Sequence, residues 1–263
     1  MSMGDEAAPK ALLLDLDGTL YTDAGAIPGA VEALAELRRR GVPLRFVTNT
    51  TRRSRRLLAE RLAGYGFAAE PAEIITAVMS GVALLTERGW THVAAFVAPE
   101  TLEDFAAFDL ASPRPEAVVV GDLGDLWSFG RLNRAFLHLM DGAALIALQR
   151  DRYWLRGDGL ALDAGPFVAA LEYATGQTAT VCGKPSAGFY RTALASLGGR
   201  ARERPADVVM VGDDLWGDVE GAQRAGLTAW MVRTGKFREE VVAGSDIRPN
   251  RIISSVAELP GLF

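Results

Sequence analysis

The sequence has little cysteine, little histidine and no long apolar run. Cys182 is the single cysteine and lies in an apolar, strand-like stretch, which excludes an intramolecular disulfide and a cysteine-rich zinc site. Two histidines, both distant from the motifs below, are too few for a histidine-ligated metal or a Ser-His-Asp triad. No stretch approaches the roughly 20 apolar residues that span a bilayer, so no membrane partner is expected.

Strong charge of either sign is also missing. The net charge is −5, without the basic excess of a nucleic-acid binder, so no nucleic-acid partner is expected. With 263 residues, 49% of them hydrophobic, the chain can form one large domain or two modest ones. The N-terminal MSMGDEAAPK lacks the basic start and apolar core of a signal peptide, which predicts a short disordered leader on a cytoplasmic protein.

Strand and helix patterns alternate at the beginning of the chain. Short apolar runs at Ala11 to Leu14 and Leu44 to Val47 predict strands, and Pro28 to Arg40 has apolar residues at helical spacing. Ser54 is suited to cap a helix that continues to Leu62. This order predicts a parallel sheet covered by helices on both faces.

The same alternation returns near the C-terminus, with strands predicted at Val208 to Val211 and Thr228 to Val232 and a helix at Val219 to Ala225. The middle of the chain has its own strand candidates and helices: Val93 to Val97, Ala117 to Val120, Leu145 to Leu148 and the helix Phe129 to Met140. We therefore predict an α/β fold, a Rossmann-like doubly wound parallel sheet formed by residues 1–76 and 179–263. A smaller α/β domain, residues 77–178, is inserted into it.

Three polar loops, DLDGT, TNTT and GDDLWGD, each follow a predicted core strand. In open α/β sheets ligands bind beyond the carboxyl ends of the strands, so these loops are expected at one crevice. Asp15 and Asp17 are two residues apart and can share a pocket, where a cation would relieve their repulsion. Each loop alone fits an ordinary turn or helix cap. Together with Lys184 they fit a phosphoryl-transfer site of carboxylates, hydroxyl and amide donors and a cation.

The segments DLDGTLY, VTNTT, GKPS and GDDLWGDVEGA resemble, in this order, the four motifs of the haloacid dehalogenase superfamily. The resemblance implies that Asp15 is the nucleophile and Asp17 the general acid/base. It implies that Thr48, Asn49 and Lys184 hold the phosphoryl group, and that Asp15, the backbone carbonyl of Asp17 and Asp213 bind Mg²⁺. Asp214 and Asp218 are expected around these ligands, in contact with the ion either directly or through water.

The insertion is similar to the C2-type cap of the branch that includes ribonucleotide and p-nitrophenyl phosphatases, which implies a homodimer formed through the cap. Within that branch, Leu145 to Thr175 resembles pyrophosphate and phosphoamide phosphatases, and Gln149-Arg150-Asp151 replaces the Asn-x-Asp of nucleotidases. We therefore expect Mg²⁺-dependent hydrolysis of a small phosphorylated compound through an aspartyl-phosphate.

Three other functions stay open at this point. The first is a nucleotide or sugar phosphatase of the same branch. The second is a dehalogenase, which Asp17 argues against because dehalogenating relatives generally lack the second aspartate. The third is a weakly active binding protein that retains the fold, and the intact set of Asp15, Asp17, Lys184 and Asp213 argues against that.

Overall fold

The computed structural model describes residues 10–156 and 159–263, so the predicted leader lies, apart from Lys10, outside the described residues. The chain divides into two compact units. The core unit contains the described residues up to Thr48, together with Leu58–Ile75 and Tyr190–Phe263. The insert unit contains Asn49–Leu57 and Thr76–Phe189.

The strands, in chain order, are β1 Ala11–Asp15, β2 Tyr21–Thr22, β3 Gly25–Ala26, β4 Leu44–Thr48, β5 Ile74–Thr76, β6 Val93–Phe96, β7 Ala117–Val120, β8 Ala144–Ala147, β9 Tyr153–Arg156, β10 Gly159–Leu162, β11 Thr180–Val181, β12 Val208–Gly212, β13 Thr228–Val232 and β14 Arg251–Ile253. The α-helices are α1 Ala30–Arg39, α2 Arg55–Gly64, α3 Ala77–Glu87, α4 Phe129–Met140, α5 Ala164–Thr175, α6 Ala187–Leu197, α7 Gly199–Glu203, α8 Gly221–Arg224 and α9 Glu239–Gly244.

The core unit is organised around a six-stranded sheet with the order β14-β13-β12-β1-β4-β5. From β1 the chain builds outward through β4 to one edge, then returns to β12 and builds to the other edge. The strand order therefore reverses between β1 and β12, where a doubly wound sheet opens its crevice. The two strands pair in parallel, with Leu12 opposite Val209 and Leu14 opposite Val211. Asp15 and Asp213 thus follow neighbouring strands at this crevice.

Helix α1 shows why the amphipathic pattern folds onto this sheet. Its buried residues, Ala30, Ala33, Leu34 and Leu37, recur every three or four positions and so form one face of the helix. Leu34 and Leu37 share a hydrophobic cluster with residues of β1 and β4. The helix ends just before Gly41, whose φ of 74° is the left-handed conformation that glycine adopts without strain.

The insert unit has its own parallel sheet, with the order β11-β8-β7-β6. Alternate residues of β7 point to opposite faces, so Val119 joins a cluster with α3 residues while Val118 joins one with residues of α4 and α5. Cys182 is 3% exposed, and burial raises the pKa of its thiol to about 12. The thiol is therefore buried and protonated at neutral pH, which makes it a poor nucleophile.

The predicted fold class, a doubly wound α/β core with a smaller α/β insertion, is confirmed. One helix prediction, Val219 to Ala225, needs correction. The backbone forms a π-helix at Leu215–Glu220 before the short α8, because the cap made by Asp214 starts the helical turns earlier. The antiparallel hairpin β9-β10 of the insert unit was not predicted. Within the described residues, no helix combines the length and apolar character needed to cross a membrane.

Candidate active site

The first polar loop leaves β1, whose five residues are all buried. Asp15, the last of them, is 7% exposed, whereas Asp17 is exposed. The loop turns sharply at Gly18, whose φ is 80°, and the Gly18 N–H donates to the Tyr21 carbonyl at 2.7 Å. The Tyr21 hydroxyl reaches the Asp17 carboxylate at 3.4 Å. The predicted nucleophile is therefore sheltered, and the predicted acid/base lies at the surface of the same loop.

The second polar loop of the core unit follows β12 and is organised by its own aspartates. The Asp214 carboxylate accepts from the N–H groups of Trp216 and Gly217, at 3.0 and 2.8 Å, and so caps the π-helix. The Asp214 N–H donates to Asp218 Oδ2 at 3.1 Å. These bonds fold the loop back so that Asp218, five residues beyond the start of the loop at Asp213, is brought to the same crevice.

Three carboxylates meet where these loops converge. Asp15, Asp213 and Asp218 are all buried, and each has a carboxylate oxygen within 4.8 Å of the others. Burial, with the nearby charges of Asp15 and Asp218, raises the pKa of Asp213 to about 8. Such a cluster of hard oxygen donors is suited to a divalent cation, which would offset the repulsion among the carboxylates.

The predicted phosphoryl-binding residues lie at two places in the chain. Thr48 ends β4 in the core unit, one residue beyond Val47, which pairs with Asp15 across the sheet. In the insert unit, Asn49 and Lys184 are brought together: the Asn49 amide donates to the Lys184 carbonyl at 3.0 Å, and the Lys184 N–H donates to Asn49 Oδ1 at 2.7 Å. These two bonds fix the backbone at Lys184. The residue is buried, with 8% of its surface exposed.

Two features of the core-unit site were not anticipated from the sequence. The first is the depth of Asp218: expected around the metal ligands, it has a carboxylate oxygen within the cluster itself. The turn Thr234–Lys236 contacts both polar loops: the Thr234 hydroxyl donates to the Gly18 carbonyl at 2.6 Å, and the Lys236 N–H donates to Asp213 Oδ2 at 2.7 Å. The sequence signal for this contact was Thr-Gly-Lys shortly after β13. Because β13 is another parallel strand of the same sheet, a loop after it lies at the same edge as the two polar loops.

Comparison with known proteins identifies the class to which this fold and site belong. A family profile described as haloacid dehalogenase-like hydrolase matches residues 12–111, and a second, described as HAD-hydrolase-like, matches residues 181–259. The chain belongs to the haloacid dehalogenase-like hydrolases, and within them it is a phosphatase.

Individual relatives cover nearly the whole chain. Haloacid dehalogenase-like hydrolase domain-containing protein 2 from Homo sapiens is 45% identical over 231 residues, 88% of this chain and 86% of that protein. Phospholysine phosphohistidine inorganic pyrophosphate phosphatase from Rattus norvegicus is 38% identical over 262 residues, 97% of this chain and 94% of that protein.

Solved structures agree with this assignment. The p-nitrophenyl phosphatase from Archaeoglobus fulgidus matches with a TM-score of 0.88 and 26% identity, covering 97% of this chain and 100% of that chain. The glycerol phosphate phosphatase from Mycobacterium tuberculosis, solved in complex with calcium, matches with a TM-score of 0.84 and 32% identity, covering 95% of this chain and 74% of that chain.

Proposed function

We propose that this protein is a Mg²⁺-dependent phosphatase that hydrolyses a small phosphorylated compound through an aspartyl-phosphate on Asp15. The observation that carries the proposal is the buried cluster of Asp15, Asp213 and Asp218 at the crevice of the core sheet. Three carboxylates in one buried place are costly without a counter-charge, and a structural role alone gives no reason to keep them.

The residues present fit a magnesium ion. Asp15, Asp213 and the backbone carbonyl of Asp17 would hold it, with Asp218 close enough to bind directly or through water. All of these donors are oxygens, which Mg²⁺ prefers. When bound, the ion neutralises charge on the phosphoryl oxygens and so lowers the barrier to attack by a carboxylate.

The protein side of the reaction needs two carboxylates with different roles. Asp15 attacks phosphorus, forming an O–P bond while the bond from phosphorus to the leaving oxygen breaks, and Asp17 gives that oxygen a proton. Asp17 then takes a proton from water, the water oxygen bonds to phosphorus, and the bond to Asp15 breaks to release phosphate. The exposure of Asp17 and the burial of Asp15 support this division, because a proton carrier needs solvent access.

Thr48, Asn49 and Lys184 are proposed to bind the phosphoryl oxygens. A hydroxyl, an amide and an ammonium group supply hydrogen bonds and one positive charge to a group that is negative throughout the reaction. The reciprocal Asn49–Lys184 bonds support this role, since they hold the Asn49 side chain and the Lys184 backbone in a defined orientation before substrate arrives.

The first test replaces the two proposed catalytic aspartates. Asp15→Asn should abolish release of p-nitrophenol from p-nitrophenyl phosphate, because an amide cannot form the phospho-enzyme. Asp17→Asn should lower kcat by about 10²–10⁴-fold, the usual range for a general acid/base. The unmodified protein should lose activity with EDTA and regain it with added Mg²⁺. Wild-type turnover by Asp15→Asn would show that the nucleophile is wrongly assigned.

The proposed substrates are pyrophosphate and phosphoamides, such as phosphorylated lysine or histidine analogues. The support is the activity in the name of the rat relative and the likeness of Leu145 to Thr175 to such enzymes. We expect kcat/KM for these compounds to exceed that for nucleoside monophosphates. A tenfold preference for a nucleotide, about 1.4 kcal/mol of differential transition-state binding, would reverse this ranking. A panel measured side by side should include glycerol phosphate, the substrate in the name of one structural neighbour.

A further inference from the structure

The turn Thr234–Lys236 follows β13 and contacts both carboxylate-bearing loops of the core unit. We propose that it is a positioning device: it orients the Asp213 carboxylate and the Asp17–Gly18 backbone so that both are preset for a divalent cation. The inference rests on the proposed metal-dependent function and adds Thr234, Gly235 and Lys236 to it. None of these residues belongs to the four motifs described above.

The Asp213 carboxylate is held by the backbone of this turn. The Lys236 N–H donates to its Oδ2 at 2.7 Å, and the Lys236 ammonium donates to Asp214 Oδ2 at 2.9 Å. A hydrogen bond to one carboxylate oxygen fixes rotation about the Cβ–Cγ bond, so the direction of the other oxygen is fixed as well. The Asp213 carboxylate is therefore oriented by a backbone N–H group. Such a group neither gains nor loses a proton as the pH changes.

The Asp17–Gly18 backbone is held at both ends of Gly18. The peptide group joining Asp17 to Gly18 is planar, so the bond from the Gly18 N–H to the Tyr21 carbonyl also sets the direction of the Asp17 carbonyl. The next peptide group is held by the Thr234 hydroxyl, which donates to the Gly18 carbonyl at 2.6 Å. Both peptides beside the proposed carbonyl ligand are thus fixed, one of them by the turn.

Close packing explains why glycines stand at the contact. A Cβ atom on Gly235 would lie 2.0 Å from Asp213 Oδ2 and 2.7 Å from the Gly18 Cα, and one on Gly18 would lie 2.1 Å from Asp213 Oδ2. Both glycines have positive φ angles, 63° and 80°. The Asp213 carboxylate therefore lies against two backbones that approach it as closely as glycine permits, and any side chain there would displace it.

The proposal is tested by Mg²⁺ binding, measured by isothermal titration calorimetry on the full chain. Gly235→Ala should raise the Kd for Mg²⁺ about 10–100-fold, as is usual when a partner of a metal ligand is lost. Gly41→Ala is the matched control, because Gly41 has a φ of 74° and, its chain neighbours aside, no described atom within 4 Å of an added Cβ. Both variants carry the same backbone strain, so both should lower Tm in EDTA, but the control should keep the wild-type Kd.

The hydroxyl contact has a separate test. Thr234→Val removes the donor to Gly18 with little change of shape and should raise the Kd for Mg²⁺ about tenfold, whereas Thr234→Ser should restore it. If the unmodified protein binds Mg²⁺ and Gly235→Ala binds it equally well, the positioning role is overturned and the proposed function survives. If the unmodified protein binds no Mg²⁺ and works in EDTA, both are overturned.

Discussion

At the scale of single residues, Asp213 is both a proposed metal ligand and a residue whose buried charge destabilises the protein without metal. Burial and the charges of Asp15 and Asp218 raise its pKa to about 8, so a proton occupies the cluster at neutral pH when no cation is present. The cluster titrates as a unit, and the proton belongs to all three groups. A cation must displace this proton, which couples metal binding to pH.

We therefore expect Mg²⁺ to bind more tightly as the pH rises. Below about pH 8, each unit of acidification should weaken binding by up to tenfold, because one proton is released for each ion bound. Calorimetric titrations between pH 6.5 and 8.5, repeated in buffers of different ionisation enthalpy, give both the Kd and the number of protons released. A Kd that stays constant across this range would contradict the assignment of the proton to the cluster.

The same pKa predicts a stabilising substitution. The folded-state pKa of Asp213 lies above the ordinary value of 3.8, so folding without metal takes up a proton and stability falls as the pH rises from about 4 to 8. Asp213→Asn should remove Mg²⁺ binding, yet in EDTA at pH 8 it should be more stable than wild type, by at least about 1 kcal/mol, because an amide carries no charge to bury. Urea unfolding measures this difference, and a loss of stability would contradict it.

Some residues of the site were readable from the sequence, and others were not. Asp15 and Asp213 follow continuous apolar runs, and runs of that kind are strands buried on both faces, so their place at the sheet edge follows directly. The position of Asp218 was harder to predict because it depends on a π-helix, which has no clear sequence signal. The contact of Lys236 with Asp213 spans 23 residues and uses a backbone N–H, which any residue except proline provides.

At the scale of elements, helix α3 packs closely on the insert sheet. Gly81 lies inside α3, and a Cβ atom added to it would be 2.6 Å from Leu148 Cδ2. Leu148 is itself fully buried. Gly130, the second residue of α4, has no described atom within 4 Å of an added Cβ, its chain neighbours and the backbone of its own helix aside. The two helical glycines therefore differ. Gly81 permits close packing against Leu148, whereas Gly130 has room for a side chain.

Replacing each glycine by alanine should separate these effects. Alanine favours a helix over glycine by about 1 kcal/mol, so Gly130→Ala should stabilise the protein by about 0.5–1 kcal/mol. Gly81→Ala gains the same propensity but forces Leu148 to move, and overpacking costs about 1–3 kcal/mol, so the net effect should be destabilising. Urea unfolding followed by circular dichroism tests both. Equal effects at the two sites would show that Leu148 moves at little cost.

The elements themselves were predicted best where the hydrophobic pattern was clearest. Helix α4 and strands β7 and β13 have the predicted bounds, because the apolar residues of α4 follow the helix period and those of the two strands form nearly continuous apolar runs. Strand β11 was missed because two residues carry too little pattern, and the hairpin β9-β10 was missed as well. The predicted domain boundaries at 76/77 and 178/179 stay a prediction.

At the scale of the whole molecule, the insert unit has a groove with exposed apolar side chains at one edge of its sheet. Strand β6 lies at the edge of its sheet, where the Val93 N–H donates to the Asp109 carbonyl at 2.9 Å, and a groove of about 470 Å³ runs beside the strand. Leu102 and Leu126 line this groove and are 39% and 44% exposed. Open strand edges and exposed apolar side chains are features that proteins usually cover, and pairing with an identical edge is one way to do so.

We accordingly propose a homodimer formed through the insert unit, with β6 edges facing each other about a twofold axis, since closed twofold dimers are the commonest assemblies. Light scattering at micromolar concentration should give twice the mass of the 263-residue chain. Leu126→Glu should raise the dimer Kd at least about tenfold, or 1.4 kcal/mol, by placing a charge in the interface. Val241→Glu, which alters a 40% exposed residue of the core unit, should leave the mass unchanged. A monomeric wild type would contradict the dimer, and a Leu126→Glu variant that pairs as tightly as wild type would place the interface elsewhere.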